Sequence, residues 1–363
     1  MTNNTEIRPF KIEIPQADLD EVRERLARAR FTEELPGAGN DYGVPVARVR
    51  ELVDYWRTTY DWRRLEARLN AYPQFTTTID GQNVHFLHVR SDREDAFPLI
   101  VTHGWPGSIA EFLPIIEPLR ATYHLVIPSV PGFGFSGPTR DRGWGPARVA
   151  AAWAELMQRL GYDRYGAVGN DWGTHISLEL GRHAPEAVAG VHVTQIFAMP
   201  SGDPAELAAM PAAEREAWEM NAWFDQNGGA YHVVQEQAPQ TLAHALCDSP
   251  VGLLAWIGQL LDGLDDDFLL DTVMTFWLTE TIASGMRMYY EDRHAPAAQE
   301  PTTVPVGVAQ FANDWRTVRT FAERDHKNVV SWTVHDTGGH WAAHDATDLL
   351  VADIRSFFER LVP

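Results

Sequence analysis

Six short apolar segments, residues 99–102, 124–127, 165–168, 190–193, 304–308 and 329–333, alternate with stretches of helical periodicity. A strand that is apolar on both faces needs cover on both, and crossover helices supply it. The pattern predicts an α/β fold, a mostly parallel sheet with helices on both faces. One such helix shows Val149, Trp153, Leu156 and Leu160 on a single face and stops at Gly161. Upstream, residues 75–79 and 82–89 flank Asp80-Gly81, a pair suited to a two-residue hairpin turn. The first eighty residues otherwise read as helical. Leu19, Val22 and Leu26 share a face over 18–30, and Val49, Leu52, Val53 and Trp56 share one over 46–70. Between about residues 197 and 301 the strands give way to helical periodicity rich in Trp, Met, Tyr and Leu, which predicts a helical lid inserted in the core. The expected division is 1–75 as an N-terminal helical extension packing on core and lid, 76–196 as the first part of the core, 197–300 as the lid or cap, and 301–363 as the second part of the core.

The chain has 363 residues, 45% of them apolar, enough to bury a full core and to exclude disorder as the main state. Its 30 Lys and Arg against 50 Asp and Glu give a net charge of −20, and no basic stripe interrupts it. That balance excludes nucleic acid and anionic lipid faces as partners. Cys247 is the only cysteine, so no intramolecular disulfide forms. The first residues lack the apolar stretch and basic flank of a signal peptide. No window reaches the roughly 18–20 apolar residues of a membrane span, and the expected location is cytoplasmic.

Residues 165–173 (Tyr-Gly-Ala-Val-Gly-Asn-Asp-Trp-Gly) run from a buried strand through a glycine-flanked turn into a helix. This resembles the nucleophile elbow of α/β-hydrolases, with Asp171 where the better-known form has serine. Glycines permit the sharp turn, and the helix N-terminus favours a carboxylate. Residues 103–107 (His-Gly-Trp-Pro-Gly) follow an earlier strand, where this architecture draws a second oxyanion-hole N–H. The two donors would be the backbone N–H groups of Trp105 and Trp172. His340 follows Gly338-Gly339 after the last strand, and Asp314 lies in the loop after the strand at 304–308. Nucleophile Asp171, acid Asp314 and base His340 fall in the chain order of the superfamily; Asp325 and Asp336 stay open as alternatives for the acid.

Taken together, these motifs resemble the epoxide hydrolases of the α/β-hydrolase superfamily, and within them the microsomal-type branch. Residues 8–15, 41–45, 55–57, 61–62 and 70–75 look like that branch's N-terminal extension, and 131–137, 248–252 and 338–341 are similarly placed. The resemblance implies that lid tyrosines Tyr231 and Tyr289 protonate the epoxide oxygen, with Tyr290 adjacent to the second. It implies conversion of an epoxide to a vicinal diol through an alkyl ester on Asp171, hydrolysed by water that His340 and Asp314 activate. No cofactor or metal is implied. Relatives include natural-product enzymes, some from enediyne pathways, that hydrate aryl-vinyl epoxides. Among the aromatics at 223, 224, 256, 276 and 277, Trp223, Phe224 and Trp277, with Trp105 and Trp172, are expected to bind a small hydrophobic or aromatic epoxide. A homodimer stays open. The sequence departs from the family in three respects. Asn170 replaces a glycine found in many relatives and is expected to touch no catalytic group. Asp314 replaces the glutamate of the mammalian enzyme. That enzyme's membrane-anchoring helix has no counterpart, so membrane localisation is not carried over.

Residues 132–137 satisfy G-x-G-x-x-G, but 138–143 intervene before any helix, which removes the geometry of a dinucleotide site. His340 and His344 have the spacing of helical metal ligands, yet the glycines before the first place it in a loop. His103 reads as a loop-structuring histidine. Two alternatives share the fold: a haloalkane or haloacid dehalogenase, with Trp172 serving the halide, and a catalytically silent binder of hydrophobic ligands.

Overall fold

The computed structural model describes residues 5–296 and 300–362. Residues 1–4, on which part of the leaderless-start argument rests, 297–299 at the expected lid boundary, and 363 lie outside the described residues. The chain opens with β1 (Arg8–Phe10), α1 (Gln16–Ala27), α2 (Val46–Thr58) and α3 (Trp62–Asn70). The core then runs β2 (Gln74–Ile79), β3 (Gln82–Val89), β4 (Phe97–Thr102), α4 (Leu113–Arg120), β5 (Tyr123–Pro128), α5 (Pro146–Arg159), β6 (Tyr165–Gly169), α6 (Trp172–His183) and β7 (Val188–Val193). A helical stretch follows: α7 (Pro204–Ala209), α8 (Ala212–Asn227), α9 (Ala230–Gln237), α10 (Pro239–Leu246), α11 (Pro250–Gly258), α12 (Asp266–Leu278) and α13 (Ile282–Arg293). The core resumes with β8 (Val306–Gln310), α14 (Arg319–Asp325), β9 (Val329–Val334), α15 (Ala342–Asp345) and α16 (Thr347–Glu359).

The strands form one sheet in the order β1-β2-β3-β5-β4-β6-β7-β8-β9, antiparallel from β1 to β5 and parallel from β5 onward. The hairpin turn is as expected, with Asp80 at φ 48° and Gly81 at φ 75°. Neighbouring residues on β7 show how both faces are covered, because successive side chains point opposite ways. Gly190 lies against Phe357 of α16, and Val191 against Gly181 of α6. Among the described residues, no helix is long and apolar enough to cross a membrane.

Two features of the extension differ from expectation. Residues 8–10 form an edge strand, pairing antiparallel with 74–76. The helix expected over 46–70 is broken into α2 and α3 at Thr59–Asp61, where the Asp61 side chain caps α3 by accepting from the Arg63 N–H. The break orients Tyr60 and Arg64 toward α12. Tyr60 donates to Asp271 Oδ1 at 2.8 Å, and Arg64 pairs with Asp271 at 3.0 Å and also with Asp267. Burial lifts the Asp271 carboxyl to about 6 against the pull of Arg64. Tyr60 and Arg64 thus hold α12 through a partly buried, hydrogen-bonded ion pair.

Candidate active site

The candidate residues lie after four strand ends at the C-terminal edge of the sheet. Open α/β sheets bind ligands at that edge. The turn after β6 holds Asp171 at φ 54° and ψ −123°, a conformation that a flanking sheet must enforce. Close approach enforces it here: a Cβ on Gly173 would come within 1.8 Å of the Thr102 carbonyl oxygen, and one on Gly104 within 2.1 Å of Asp171 Oδ1. The loop after β4 can therefore reach the carboxylate directly, and the Trp105 N–H donates to Asp171 Oδ1 at 2.7 Å. Trp172 is the first residue of α6, so its N–H has no acceptor within the helix. His103 braces the loop from behind, its Nε2 accepting from the Val130 N–H at 3.2 Å. Burial lowers its imidazole to about 4, so it is neutral.

His340 lies across from the elbow. Its Nε2 is 3.6 Å from Asp171 Oδ2, and its Nδ1 is 2.8 Å from Asp314 Oδ1. Of the three aspartates open as the acid, Asp314 is the one at His340; Asp325 pairs with Arg324 and Asp336 is exposed. Asp314 is itself held by the Trp315 N–H at 2.7 Å. Burial alone would lower the His340 imidazole. The Asp314 carboxylate, by its charge and its hydrogen bond, and then the Asp171 charge outweigh it and hold the group up at about 9.

Helices α9 and α13 contribute two tyrosines over this floor. Tyr231 on α9 stacks on Trp105 with ring centres 5.5 Å apart, and Tyr289 on α13 stands edge-on to Trp105 at 5.7 Å and to Trp172 at 4.8 Å. Their own rings are 6.2 Å apart. Tyr290 points away, exposed and stacked on His294. Burial first, then the Asp171 charge, raises the Tyr231 phenol far above its usual range. Burial, Tyr231 and Asp171 do the same for Tyr289. Both remain protonated.

A cavity of about 460 Å³ joins Asp171, Asp314, His340 and Tyr231 to Trp105, Trp223 and Phe224. Trp223 and Phe224 are exposed at its mouth. Trp172 and Trp277, expected as substrate contacts, are not in its lining: Trp172 packs against Tyr289, and Trp277 lies under the Arg25 guanidinium at 5.5 Å. Trp256 and Phe276 are also outside it. The lining instead includes Met220, Leu260, Trp315 and Trp341. The last two directly follow Asp314 and His340, and that adjacency was the available sequence signal for them. His344 bonds Asp265 at 2.5 Å and stacks on Phe268.

The profile described as Epoxide hydrolase N terminus matches residues 7–112, and that of the alpha/beta hydrolase fold matches 98–267. A Stigmatella aurantiaca protein classed as an epoxide hydrolase is 38% identical over 98% of this chain and 85% of its own length. Juvenile hormone epoxide hydrolase 2 of Ctenocephalides felis is 32% identical over 99% of this chain and 87% of its own. The solved structure of Aspergillus niger epoxide hydrolase superposes with a TM-score of 0.89 at 32% identity, covering 99% of this chain and 98% of that one. The chain has the α/β-hydrolase fold and belongs to the epoxide hydrolases, in the microsomal-type branch.

Proposed function

We propose that this epoxide hydrolase works in two covalent steps on a bulky apolar or aromatic epoxide. The observation that carries this reading is His340 set between Asp314 and Asp171, with Tyr231 and Tyr289 over the same floor. Asp171 Oδ1 is engaged by the Trp105 N–H, which leaves Oδ2 to attack a ring carbon. The carbon–oxygen bond breaks, its electron pair goes to the ring oxygen, and a tyrosine hydroxyl delivers the proton. Water then attacks the Asp171 carbonyl carbon, giving its proton to His340 Nε2, while the Trp105 and Trp172 N–H groups hold the oxyanion. Collapse expels the diol oxygen, which takes that proton; the water's second proton, left on the Asp171 carboxyl, returns to the tyrosinate, so the carboxylate and the phenol are both restored. Residues 1–75 serve as an extension that braces residues 197–300 as a lid over the core of 76–196 and 301–363.

A single turnover of styrene oxide in isotopically labelled water tests the covalent route. The first diol is expected to carry an unlabelled oxygen drawn from Asp171, with the label left in the enzyme. Label in that first diol would mean direct hydration. A haloalkane offers no oxygen for the tyrosines to protonate, so halide release from a matched substrate is expected to be absent.

The tyrosines carry a separate expectation. Tyr231→Phe and Tyr289→Phe should each slow ring opening by about 10²-fold, the usual worth of a positioned acid, while Tyr290→Phe leaves it unchanged. Equal, small effects at all three positions in pre-steady-state kinetics would remove the proton-donor role.

Alkylation also has an electrostatic consequence for His340. At neutral pH the free enzyme holds this imidazole protonated, because its pKa is raised to about 9. Forming the ester removes the Asp171 charge, one of the groups that raise it, so the pKa falls and a neutral base appears. Ester hydrolysis should therefore accelerate with rising pH through a midpoint below about 9 and then level off. A flat profile across the whole range from acid to alkaline pH, measured on preformed alkyl-enzyme, would contradict this.

A further inference from the structure

Asn170 does more than the sequence suggests. Its Nδ2 donates both to Glu111 Oε1 and to the backbone carbonyl of His340, each at 2.9 Å. Its Oδ1 accepts from Thr194 Oγ1 at 2.8 Å. Asn170, Glu111 and Thr194 are all buried, so these bonds are shielded from competition by water. Residue 170 touches no catalytic side chain, but its amide joins the nucleophile's turn to the backbone of the base's loop. That loop has a second tether on the acid's side, where the Asn313 N–H donates to the Gly338 carbonyl at 3.0 Å. A glycine at 170, as in many relatives, could supply no such bond.

We propose that Asn170, seated by Glu111 and Thr194, is a positioning residue for ester hydrolysis, holding the His340 loop so that Nε2 faces Asp171. Ring opening relies on Asp171, the Trp105 N–H and the tyrosines, none of which Asn170 bonds. Ester hydrolysis relies on the placement of Nε2. Losing the tether therefore affects the two steps unequally. Glu111 acts here as a neutral acceptor, since burial pushes its carboxyl up to about 8. Glutamine can take its place.

The inference rests on the two-step reading, and the experiment separates the two. Single-turnover kinetics with styrene oxide would follow formation and loss of the alkyl-enzyme by intact mass in Asn170→Gly, Thr194→Val, Glu111→Gln and His340→Gln. In Asn170→Gly, hydrolysis of the ester should slow by roughly 10- to 100-fold, the scale of a small misplacement, with alkylation within about twofold of normal. Thr194→Val should give the same split at smaller size, and Glu111→Gln should hydrolyse the ester at close to the normal rate. If His340→Gln accumulates ester while Asn170→Gly and Thr194→Val hydrolyse it normally, the positioning role is wrong and the two-step reading stands. Equal loss in both steps also overturns it, because that marks general destabilisation. If His340→Gln accumulates no ester, the two-step reading fails and takes the inference with it.

Discussion

Asp171→Asn is expected to abolish diol formation, with a loss on the order of 10⁴-fold or more. The substitution keeps the shape of the site and removes its reactivity. Asparagine tolerates positive φ as readily as aspartate does, so the turn at φ 54° survives. The side-chain oxygen can still accept from the Trp105 N–H, now 2.7 Å from Asp171 Oδ1. The second oxygen, 3.6 Å from His340 Nε2, becomes an NH₂ group. Its lone pair is delocalised into the amide, and it offers neither negative charge nor a carboxylate ester to hydrolyse. Thermal unfolding should be little changed, and diol quantified by chromatography should fall to background. A residual rate within about 100-fold of normal, in a preparation cleared of wild-type enzyme, would exclude Asp171 as the nucleophile.

The loss should be so large because the other groups at the site cannot substitute. His340 is held by Asp314 at 2.8 Å and faces the elbow, and the tyrosines are kept protonated by burial. None is an anion with free access to a ring carbon. Asp314 is buried behind the imidazole, and Glu111 behind the elbow.

The parts of this arrangement that were legible in the sequence are those fixed by short-range constraints. Asp171 stands in a strand–turn–helix whose glycines are required by contacts of under 3 Å, as Gly173 against Thr102 illustrates. The parallel strands were legible because double-sided burial leaves a continuous apolar run. β1 was not, because three residues at a sheet edge carry no periodicity, and their pairing with β2 is made 64 to 68 positions away in the chain. The α2–α3 break was missed because the apolar spacing continues across Thr59–Asp61, although Asp61 is a good capping residue. The aromatics between residues 223 and 277 were sorted poorly for another reason. Which face of α8 or α12 meets the cavity depends on how helices pack on one another, so Trp277 and Trp223 look alike in sequence and lie in different places. Asn170 was undervalued because its partners, Glu111, Thr194 and His340, come from three distant segments.

His340→Gln is expected to stop the reaction halfway and leave the enzyme alkylated. Glutamine approximates the reach of the imidazole, but its amide cannot take a proton from water. The machinery of ring opening stays complete: Asp171 keeps its Trp105 hydrogen bond, and Tyr231 and Tyr289 keep their places against Trp105 and Trp172. Removing the imidazole also removes a cation that faces Asp171 in the free enzyme, since its pKa is held at about 9. Alkylation should therefore continue, within about tenfold of its normal rate, because Asp171 needs no base to be a nucleophile. Hydrolysis of the ester should fall by the 10²- to 10⁴-fold that general-base assistance contributes, so the intermediate outlives the measurement. Intact-mass spectrometry after exposure to styrene oxide should show one added epoxide mass per chain, and peptide mapping should place it on the segment containing Asp171. The adduct requires His340 and Asp171 to act in different steps. If His340→Gln binds the epoxide yet forms no adduct, the imidazole is needed for ring opening itself, and the division of labour drawn from the geometry is wrong.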